Sequence, residues 1–330
     1  MRSTRMADLR KPIAALAIAA LVLLLFPPRS VGIPTAPQAT DELTEVVIRA
    51  LEPRYVAPTR RDRIGRIWAP VLINGKGPFR LVLDTGASRS GVTSDVAAAL
   101  GLPPDQSRQV MLRGVTGSAT VPTIQVDTLT VGDLMLTPAT LPIVNDALGG
   151  AQGVLGTEGL RDKRIYIDFQ NDLISIARSK DEPARPGFVT IPLEHPESGL
   201  LIFHALVGGI RVLAIIDTGG QATIGNESMR HALERRSAVG LSEEIIGVTT
   251  EAQPAEGFAS PAIQFGNIEI RGERISYGDM HIFEHWNLIN EPALLIGMDS
   301  LGLLDTFIID YRRHEVQLRI RDPHEHDRRS

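Results

Sequence analysis

Two short segments hold the residues of this chain that are best suited to chemistry. Residues 84–86 and 217–219 both read Asp-Thr-Gly, and each segment follows three apolar residues. The apolar residues lead the chain out of a core, so Asp84 and Asp217 are expected at the core's edge. A following glycine permits a tight turn and lets backbone N–H groups approach the carboxylate. One such loop alone would be interpreted as a capped turn.

Two such loops allow a chemistry that one does not. Two carboxyl groups held close together cannot both ionise easily, so they share a proton. The ionised group can take a proton from water, and the protonated group can polarise an amide carbonyl. We therefore predict that Asp84 and Asp217 are catalytic and hydrolyse a peptide bond by direct attack of water.

The two segments belong to an internal repeat with an offset of 133 residues. The same landmarks follow each segment in the same order: a Gly-Val-Thr, an apolar-apolar-Gly and an apolar-Asp-aromatic. In the first half these are residues 114–116, 154–156 and 167–169, and in the second half residues 247–249, 295–297 and 309–311. This order indicates a duplication. A pseudo-two-fold axis would bring the two Asp-Thr-Gly loops face to face.

The elements that must position these loops are mainly strands. Apolar runs separated by turn residues predict a strand pair before each aspartate, and a short capped helix is expected after each loop. The predicted strands are Ile67–Ile73, Phe79–Leu83, Leu201–Val207 and Ile210–Ile216, and the predicted helices are Ser94–Leu100 and Glu227–Arg235. The sequence thus predicts a β-rich lobe that occurs twice.

Over about residues 66–320 the chain resembles aspartic proteases of the pepsin/retropepsin superfamily, more closely the bacterial retropepsin-like proteins. The resemblance implies a mainly β, bilobal acid-protease fold with two pseudo-symmetric, closed barrel-like lobes and short helices. It also implies that Thr85 and Thr218 interlock across the lobe interface. With Gly86 and Gly219, these threonines would hold the two carboxylates in place.

The resemblance assigns a flap to each lobe. Gly114, Val115 and Thr116 correspond to the first flap, and the second flap consists of Gly247, Val248 and Thr249. Pepsins have one flap with a tyrosine, which neither segment contains, so the chain resembles two retropepsin-like lobes fused in tandem. Such a chain should work as a monomer and bind an extended peptide or protein substrate as an added strand. No cofactor is implied.

One departure from the pepsins concerns the residue after each Asp-Thr-Gly. Pepsins place a hydroxyl residue there, which can donate to the carboxylate and favour its ionised form. This chain has Ala87 and Gly220 instead. We hypothesise that the pair titrates higher than in a pepsin, so that activity extends toward neutral pH.

Two alternative functions remain open from the sequence. The first is a non-catalytic peptide-binding or sensor protein on the same fold. The second is a metal-dependent hydrolase that uses His281 and His285, although their spacing differs from the His-Glu-x-x-His order of metalloproteases. The segment around these histidines is apolar and aromatic, so no metal site is predicted.

Composition excludes several classes. The 330 residues contain no cysteine, which excludes disulfides, thiolate nucleophiles and iron–sulfur clusters. The net charge of −5 and the lack of a long basic block argue against nucleic acid as a partner. Basic residues followed by an apolar run predict that residues 1–32 are a signal peptide or a membrane anchor. The protein would then be exported. The resemblance to bacterial proteins implies that it lies in the periplasm, either free or held at the inner membrane through residues 12–28.

The predicted domain organisation follows from these patterns. After the targeting segment, residues 33–65 form a linker with one short helix at Asp41–Leu51. The protease lobes then span residues 66–180 and 188–322, and the Pro-containing residues 181–187 connect them. Residues 323–330 form a charged tail.

Overall fold

The computed structural model describes residues 47–49, 66–145, 149–171, 173–194, 199–233 and 241–320. The predicted targeting segment and the charged tail lie outside the described residues. Among the described residues, no helix has the length and apolar character needed to cross a bilayer.

Strands dominate the described chain, and the helices are short. In the first half the elements are β1 (Val47–Arg49), β2 (Trp68–Ile73), β3 (Lys76–Leu83), β4 (Gly91–Val92), α1 (Ser94–Leu100), β5 (Asp105–Arg113), β6 (Ser118–Val126), β7 (Leu129–Val131), β8 (Leu134–Leu136), β9 (Ala139–Pro142), β10 (Gly153–Leu155), β11 (Lys163–Asp168) and β12 (Leu173–Arg178). In the second half they are β13 (Val189–Pro192), β14 (Leu201–Val207), β15 (Ile210–Ile216), β16 (Ile224–Gly225), α2 (Glu227–Leu233), β17 (Leu241–Ile246), β18 (Ala252–Ala259), β19 (Ile263–Phe265), β20 (Ile268–Ile270), β21 (Arg274–Tyr277), α3 (His281–His285), β22 (Ala293–Ile296), α4 (Met298–Leu301), β23 (Leu304–Asp310) and β24 (Glu315–Ile320).

Each half builds its own sheets, and in both halves the strand before the aspartate belongs to a parallel pair. The first half has a six-stranded sheet in the order β4-β10-β3-β2-β7-β8 and a three-stranded sheet β5-β6-β9. The second half has one nine-stranded sheet in the order β17-β18-β21-β16-β22-β15-β14-β19-β20. The strand before each aspartate pairs in parallel with the strand of the apolar-apolar-Gly segment, β3 with β10 and β15 with β22. The fold is thus mainly β and bilobal, as the sequence predicts.

A fourth sheet joins the two halves. Its six strands follow the order β1-β12-β11-β23-β24-β13, so three strands of the first half continue directly into three strands of the second half. At its centre β11 and β23 run antiparallel, and Ile165 lies opposite Ile309. The strands that close the two halves therefore pair with each other.

The core explains why the strands before the aspartates are so apolar. Leu81, Val82 and Leu83 are all fully buried, so both faces of β3 pack against protein. Such doubly covered strands carry continuous apolar runs instead of an alternating pattern. One large apolar cluster extends through both halves. Two smaller clusters, one in each half, lie beside the site described below.

Local predictions of strands and helices are largely confirmed. Strands β14 and β15 and helix α1 have the predicted bounds, and helix α2 begins at Glu227 with its predicted cap. The side chain of Asn226 accepts a hydrogen bond from the N–H of Met229 at 2.9 Å.

The predicted helix at Asp41–Leu51 is wrong in its described part. Residues 47–49 form strand β1, which pairs antiparallel with β12. Pairing with a strand more than a hundred residues away overrides the local preference. Residues 181–187 contain no strand or helix and connect β12 to β13, and their role as a lobe boundary stays a prediction.

Candidate active site

Both aspartates lie where a buried strand ends, and their backbones are held in the same way. The N–H of Asp84 donates to the carbonyl of Leu155 at 2.9 Å. The N–H of Asp217 donates to the carbonyl of Ile296 at 3.0 Å. The apolar-apolar-Gly segment of each half thus fixes the exit point of the strand that carries the aspartate.

Each carboxyl group is cradled by its own loop. Oδ1 of Asp84 accepts hydrogen bonds from the N–H groups of Gly86 at 2.8 Å and Ala87 at 3.0 Å. In the second half, Oδ1 of Asp217 accepts hydrogen bonds from the N–H groups of Gly219 at 2.9 Å and Gly220 at 3.0 Å. In each aspartate the other oxygen, Oδ2, takes no part in these loop hydrogen bonds.

The glycines of the two loops let the carboxyl groups come together. A Cβ atom at Gly219 would lie 2.4 Å from Cγ of Asp84, and one at Gly86 would lie 3.2 Å from Cγ of Asp217. Each glycine therefore packs against the aspartate of the opposite half. A side chain at Gly219 would collide with that aspartate, and one at Gly86 would be tightly crowded. This close approach brings the two carboxyl groups within hydrogen-bonding reach of each other.

Burial dominates the electrostatics of the pair. It raises the pKa of Asp84 well above the ordinary value of 3.8, and the charge of Asp217 raises it further. Burial also raises the pKa of Asp217, although the N–H groups of its loop, the hydrogen bond from Asp84 and the charge of Arg66 act in the opposite direction. The pair therefore keeps a proton over a pH range in which isolated aspartates are ionised.

Two threonines tie the loops together. The hydroxyl of Thr85 donates to the carbonyl of Ile216 at 2.8 Å, and the hydroxyl of Thr218 donates to the carbonyl of Leu83 at 2.5 Å. Each hydroxyl also accepts from the backbone N–H of the other threonine, at 3.1 Å in both directions. Both threonines are fully buried. This reciprocal arrangement fixes one aspartate relative to the other.

The structure adds two supporting contacts that the sequence reasoning missed. In the first half, the carboxylate of Glu158 accepts from the N–H of Ser90 at 2.6 Å, and the hydroxyl of Ser90 accepts from the N–H of Gly156 at 3.1 Å. In the second half, Asp299 accepts from the N–H and hydroxyl of Thr223 at 2.8 and 2.6 Å. The sequence contains a pattern that could have indicated these contacts. In both halves the hydroxyl residue lies six residues after the aspartate, and the acidic residue lies two residues after the glycine of the apolar-apolar-Gly segment.

The two Gly-Val-Thr segments are turns of β-hairpins that project over the aspartates. The N–H of Gly114 donates to the carbonyl of Gly117 at 2.8 Å in the turn between β5 and β6. In the turn between β17 and β18 the direction is reversed, and the N–H of Thr250 donates to the carbonyl of Gly247 at 2.9 Å. Below, "flap 1" means residues 105–126 and "flap 2" means residues 241–259.

The flap tips meet above the aspartates. The hydroxyl of Thr116 accepts from the N–H of Gly247 at 3.0 Å and lies 3.4 Å from the hydroxyl of Thr249. Val115 packs against the apolar cluster of the second half, and Val248 packs against that of the first half. Each flap therefore crosses to the opposite lobe.

A cavity of about 710 Å³ lies between the flaps and the two loops. Asp84 and Asp217 line it from below, and the flap residues Gly114, Val115, Gly247 and Val248 line it from above. The structure thus brings the predicted site residues to one place. The threonines at positions 85, 116, 218 and 249 are buried beside this cavity and act on it through their hydrogen bonds.

The histidine segment contacts flap 1. His281 begins helix α3, and its Nε2 lies 2.8 Å from the hydroxyl of Ser118 in flap 1. The N–H of Ile282 donates to the carbonyl of Val115 at 3.2 Å. Among the described residues, no group of three or more His, Cys, Asp or Glu side chains is arranged to hold a metal.

Of the comparisons with known proteins, the family match concerns the first half of the chain. The family model of aspartyl proteases matches residues 69–158, a stretch that contains the first Asp-Thr-Gly, flap 1 and the first apolar-apolar-Gly. No curated protein matches the chain. Among solved structures, one similar chain is a retropepsin-like aspartic protease from Rickettsia conorii, with 16% identity and a TM-score of 0.27 over 40% of this chain and 89% of that one. The family match supports an aspartic protease.

Proposed function

We propose that the chain is an aspartic endopeptidase that hydrolyses peptide bonds of exported proteins or peptides. The observation that carries the proposal is the pair of carboxyl groups of Asp84 and Asp217, which lie together at the floor of the cavity beneath the flaps. Perturbed pKa values in a cleft are typical of catalytic groups. A shared proton gives the pair both a base and an acid at once.

The reaction needs both states of the pair. A water molecule held between the carboxyl groups loses a proton to the ionised one and attacks the scissile carbonyl. The protonated carboxyl donates to the carbonyl oxygen, which stabilises the tetrahedral intermediate. Proton transfer to the leaving nitrogen then completes the cleavage. Either aspartate can fill either role, since the proton belongs to the pair.

The surrounding groups position this chemistry. The threonine interlock fixes the separation of the carboxyl groups, and the loop N–H groups orient one oxygen of each. The hairpins offer backbone groups to an extended peptide, which would lie beneath them as an added strand. Because both halves belong to one chain, we propose that the protein works as a monomer. We further propose, from residues 1–32, that it works in the periplasm, either free or anchored at the inner membrane.

The test is peptide cleavage by the full chain, purified with detergent because of its apolar N-terminal run. Peptides from a digested proteome are incubated with it from about pH 4 to 8, a range that spans strongly shifted carboxyl groups, and the products are identified by mass spectrometry. We expect cleavage by the wild type and a loss of at least about 10³-fold in Asp84→Asn and in Asp217→Asn. A chelator should have no effect.

The matched control is Asp127→Asn, which changes an exposed aspartate outside the cleft and should leave cleavage intact. Cleavage that survives either site substitution would refute the proposed roles, and loss with chelator would indicate the metal-dependent alternative. A folded wild type that binds peptides without cleaving any would instead indicate the peptide-binding or sensor function.

A further inference from the structure

The cleft carries unlike charges on its two sides, although the loops beneath it are nearly symmetric. Three arginines of the first lobe line the cavity, namely Arg66, Arg89 and Arg113. Among the described lining residues of the second lobe, none is a lysine or arginine, and two are glutamates. The duplication therefore preserved the catalytic loops and not the charges around them.

The difference in charge between the two lobes is also seen when positions related by the repeat are compared. The offset of 133 that matches the two aspartates pairs Arg89 with Ala222 and Arg113 with Ile246. The same offset pairs Glu244 of flap 2 with Met111 of flap 1. Each charge on one side thus faces a small or apolar residue at the equivalent place on the other.

Two of the arginines are available to a ligand. Arg89 comes from the loop at the floor of the cleft, and Arg113 ends strand β5 of flap 1, which forms the roof. Both are half-buried, and neither forms an ion pair with a carboxylate among the described residues. The charge of Arg66 lowers the pKa of Asp217, and the charge of Arg89 has a smaller lowering influence on the pKa of Glu158, which is raised mainly by burial.

Among the described residues, the second lobe places no positive charge on the cavity lining. Glu243 is bound by Arg274 at 2.8 Å and by the hydroxyl of Ser276 at 2.6 Å, so its charge is compensated. Glu244 is exposed and has no ion-pair partner among the described residues. An acidic side chain placed on this side would meet Glu244 and gain no partner.

We propose, on the basis of the proposed function, that the preferred substrate is a peptide with an acidic side chain on one side of the scissile bond. Arg89 and Arg113 bind this side chain against the first lobe, and the other side of the bond lies against the second lobe. Guanidinium groups bind carboxylates with paired, charge-assisted hydrogen bonds. A nearly symmetric cleft could hold an extended strand in two directions, and these charges select one of them.

The experiment uses synthetic peptides with a central Leu-Phe pair and, at one flanking position at a time, Glu, Gln or Lys. The full-length wild type is compared with Arg89→Gln, Arg113→Gln and the double variant. We expect kcat/KM for the best Glu peptide to exceed that of its Gln counterpart by about tenfold, the size of one partly exposed charge-assisted contact. The double variant should cleave both peptides equally.

Two further variants make the result specific. Arg211→Gln removes an exposed arginine outside the cleft and should retain the preference for Glu. Arg113→Glu should reverse the preference, so that the Lys peptide is cleaved faster than the Glu peptide. Equal cleavage of Glu and Gln peptides by the wild type, or a preference that persists in the double variant, would overturn the inference and leave the proposed function standing.

The affinity of the same peptides separates this inference from the proposed function. It is measured by fluorescence anisotropy with the Asp84→Asn variant, in the presence and absence of the two arginine substitutions. If no peptide is cleaved but binding still favours Glu in an arginine-dependent way, the proposed function fails and the inference holds. Binding without any preference for Glu overturns the inference.

Discussion

The loop at residues 84–90 and the loop at residues 217–223 use the same hydrogen bonds at nearly the same lengths. Each carboxylate accepts two backbone bonds of between 2.8 and 3.0 Å, and each threonine binds the opposite strand. The cleft walls beside the loops differ, since one carries arginines and the other does not. The repeat is kept where the two halves contact each other, and it has diverged in the charges that line the cavity.

Among the hydrogen bonds that both halves share, we expect the largest effect from loss of the threonine interlock. Thr85→Val removes a hydroxyl that donates to Ile216 and accepts from Thr218, so two buried backbone groups lose their partners. We expect a loss of about 3–5 kcal/mol in the free energy of unfolding, since each unsatisfied buried group costs about 1–3 kcal/mol. Thr218→Val should cost a similar amount. Both are measured by urea denaturation.

The control for the interlock is the conservative pair Thr85→Ser and Thr218→Ser, which keeps both hydroxyls. These variants should retain most of the stability and the cleavage. If one valine variant proves much more harmful than the other, the two halves do not depend on each other equally.

The supporting acids distinguish the lobes more finely. Asp299 accepts three hydrogen bonds, two from Thr223 and one from the N–H of Ser300 at 2.7 Å. Glu158 accepts from Ser90 through one oxygen, and its other oxygen is buried without a hydrogen-bond partner. We expect Asp299→Ala to cost about 3 kcal/mol and Glu158→Ala about 1 kcal/mol, in proportion to the groups left unpaired.

Thermal unfolding of both alanine variants at one pH gives this comparison. Glu158→Gln serves as the matched control and should be nearly neutral, because burial already raises the pKa of Glu158 and disfavours its charge. Equal losses in the two alanine variants would show that the supporting contacts are equivalent despite their geometry.

A pH series tests the coupling between the aspartates. Because the pKa of Asp84 is raised in the folded protein, ionisation of the pair costs stability, and wild-type stability falls as pH rises from the ordinary aspartate value of 3.8 through the raised one. Asp84→Asn removes this charge and can still accept from Gly86. Its melting temperature should exceed that of the wild type at neutral pH, and the two should converge below pH 3.8. A constant difference at all pH values would contradict the raised pKa.

The smallest expected effect is a shift in the pH dependence of cleavage. Ala87→Ser offers a hydroxyl beside Asp84 and should move the acid limb of the pH–rate profile downward, as hydrogen bonds to a carboxylate favour its ionised form. The equivalent Gly220→Ser is less suitable, because a Cβ there would lie 3.1 Å from Oδ2 of Asp217. An unmoved acid limb in Ala87→Ser would discard this explanation of the pH range.

Local patterns predicted the elements that depend on nearby residues. Strands β14 and β15 had the predicted bounds because apolar runs and a Gly-Gly turn define them. Strand β1 was missed because its partner, β12, is distant in sequence. The proximity of the two aspartates could be predicted because the repeat implies a pseudo-two-fold axis between the halves. The position of the arginines in the cleft could not be predicted from a sequence pattern, because it depends on which residues the fold places opposite them.

The sheet shared by the two halves affects how activity should depend on protein concentration. In an enzyme assembled from two separate copies, dilution separates the aspartates and activity per copy falls. Here β11 and β23 pair within one chain, and the segment between β12 and β13 spans only residues 179–188. A short connection holds two modules at an effective concentration on the order of millimolar or higher. We therefore expect activity per molecule to stay constant on dilution.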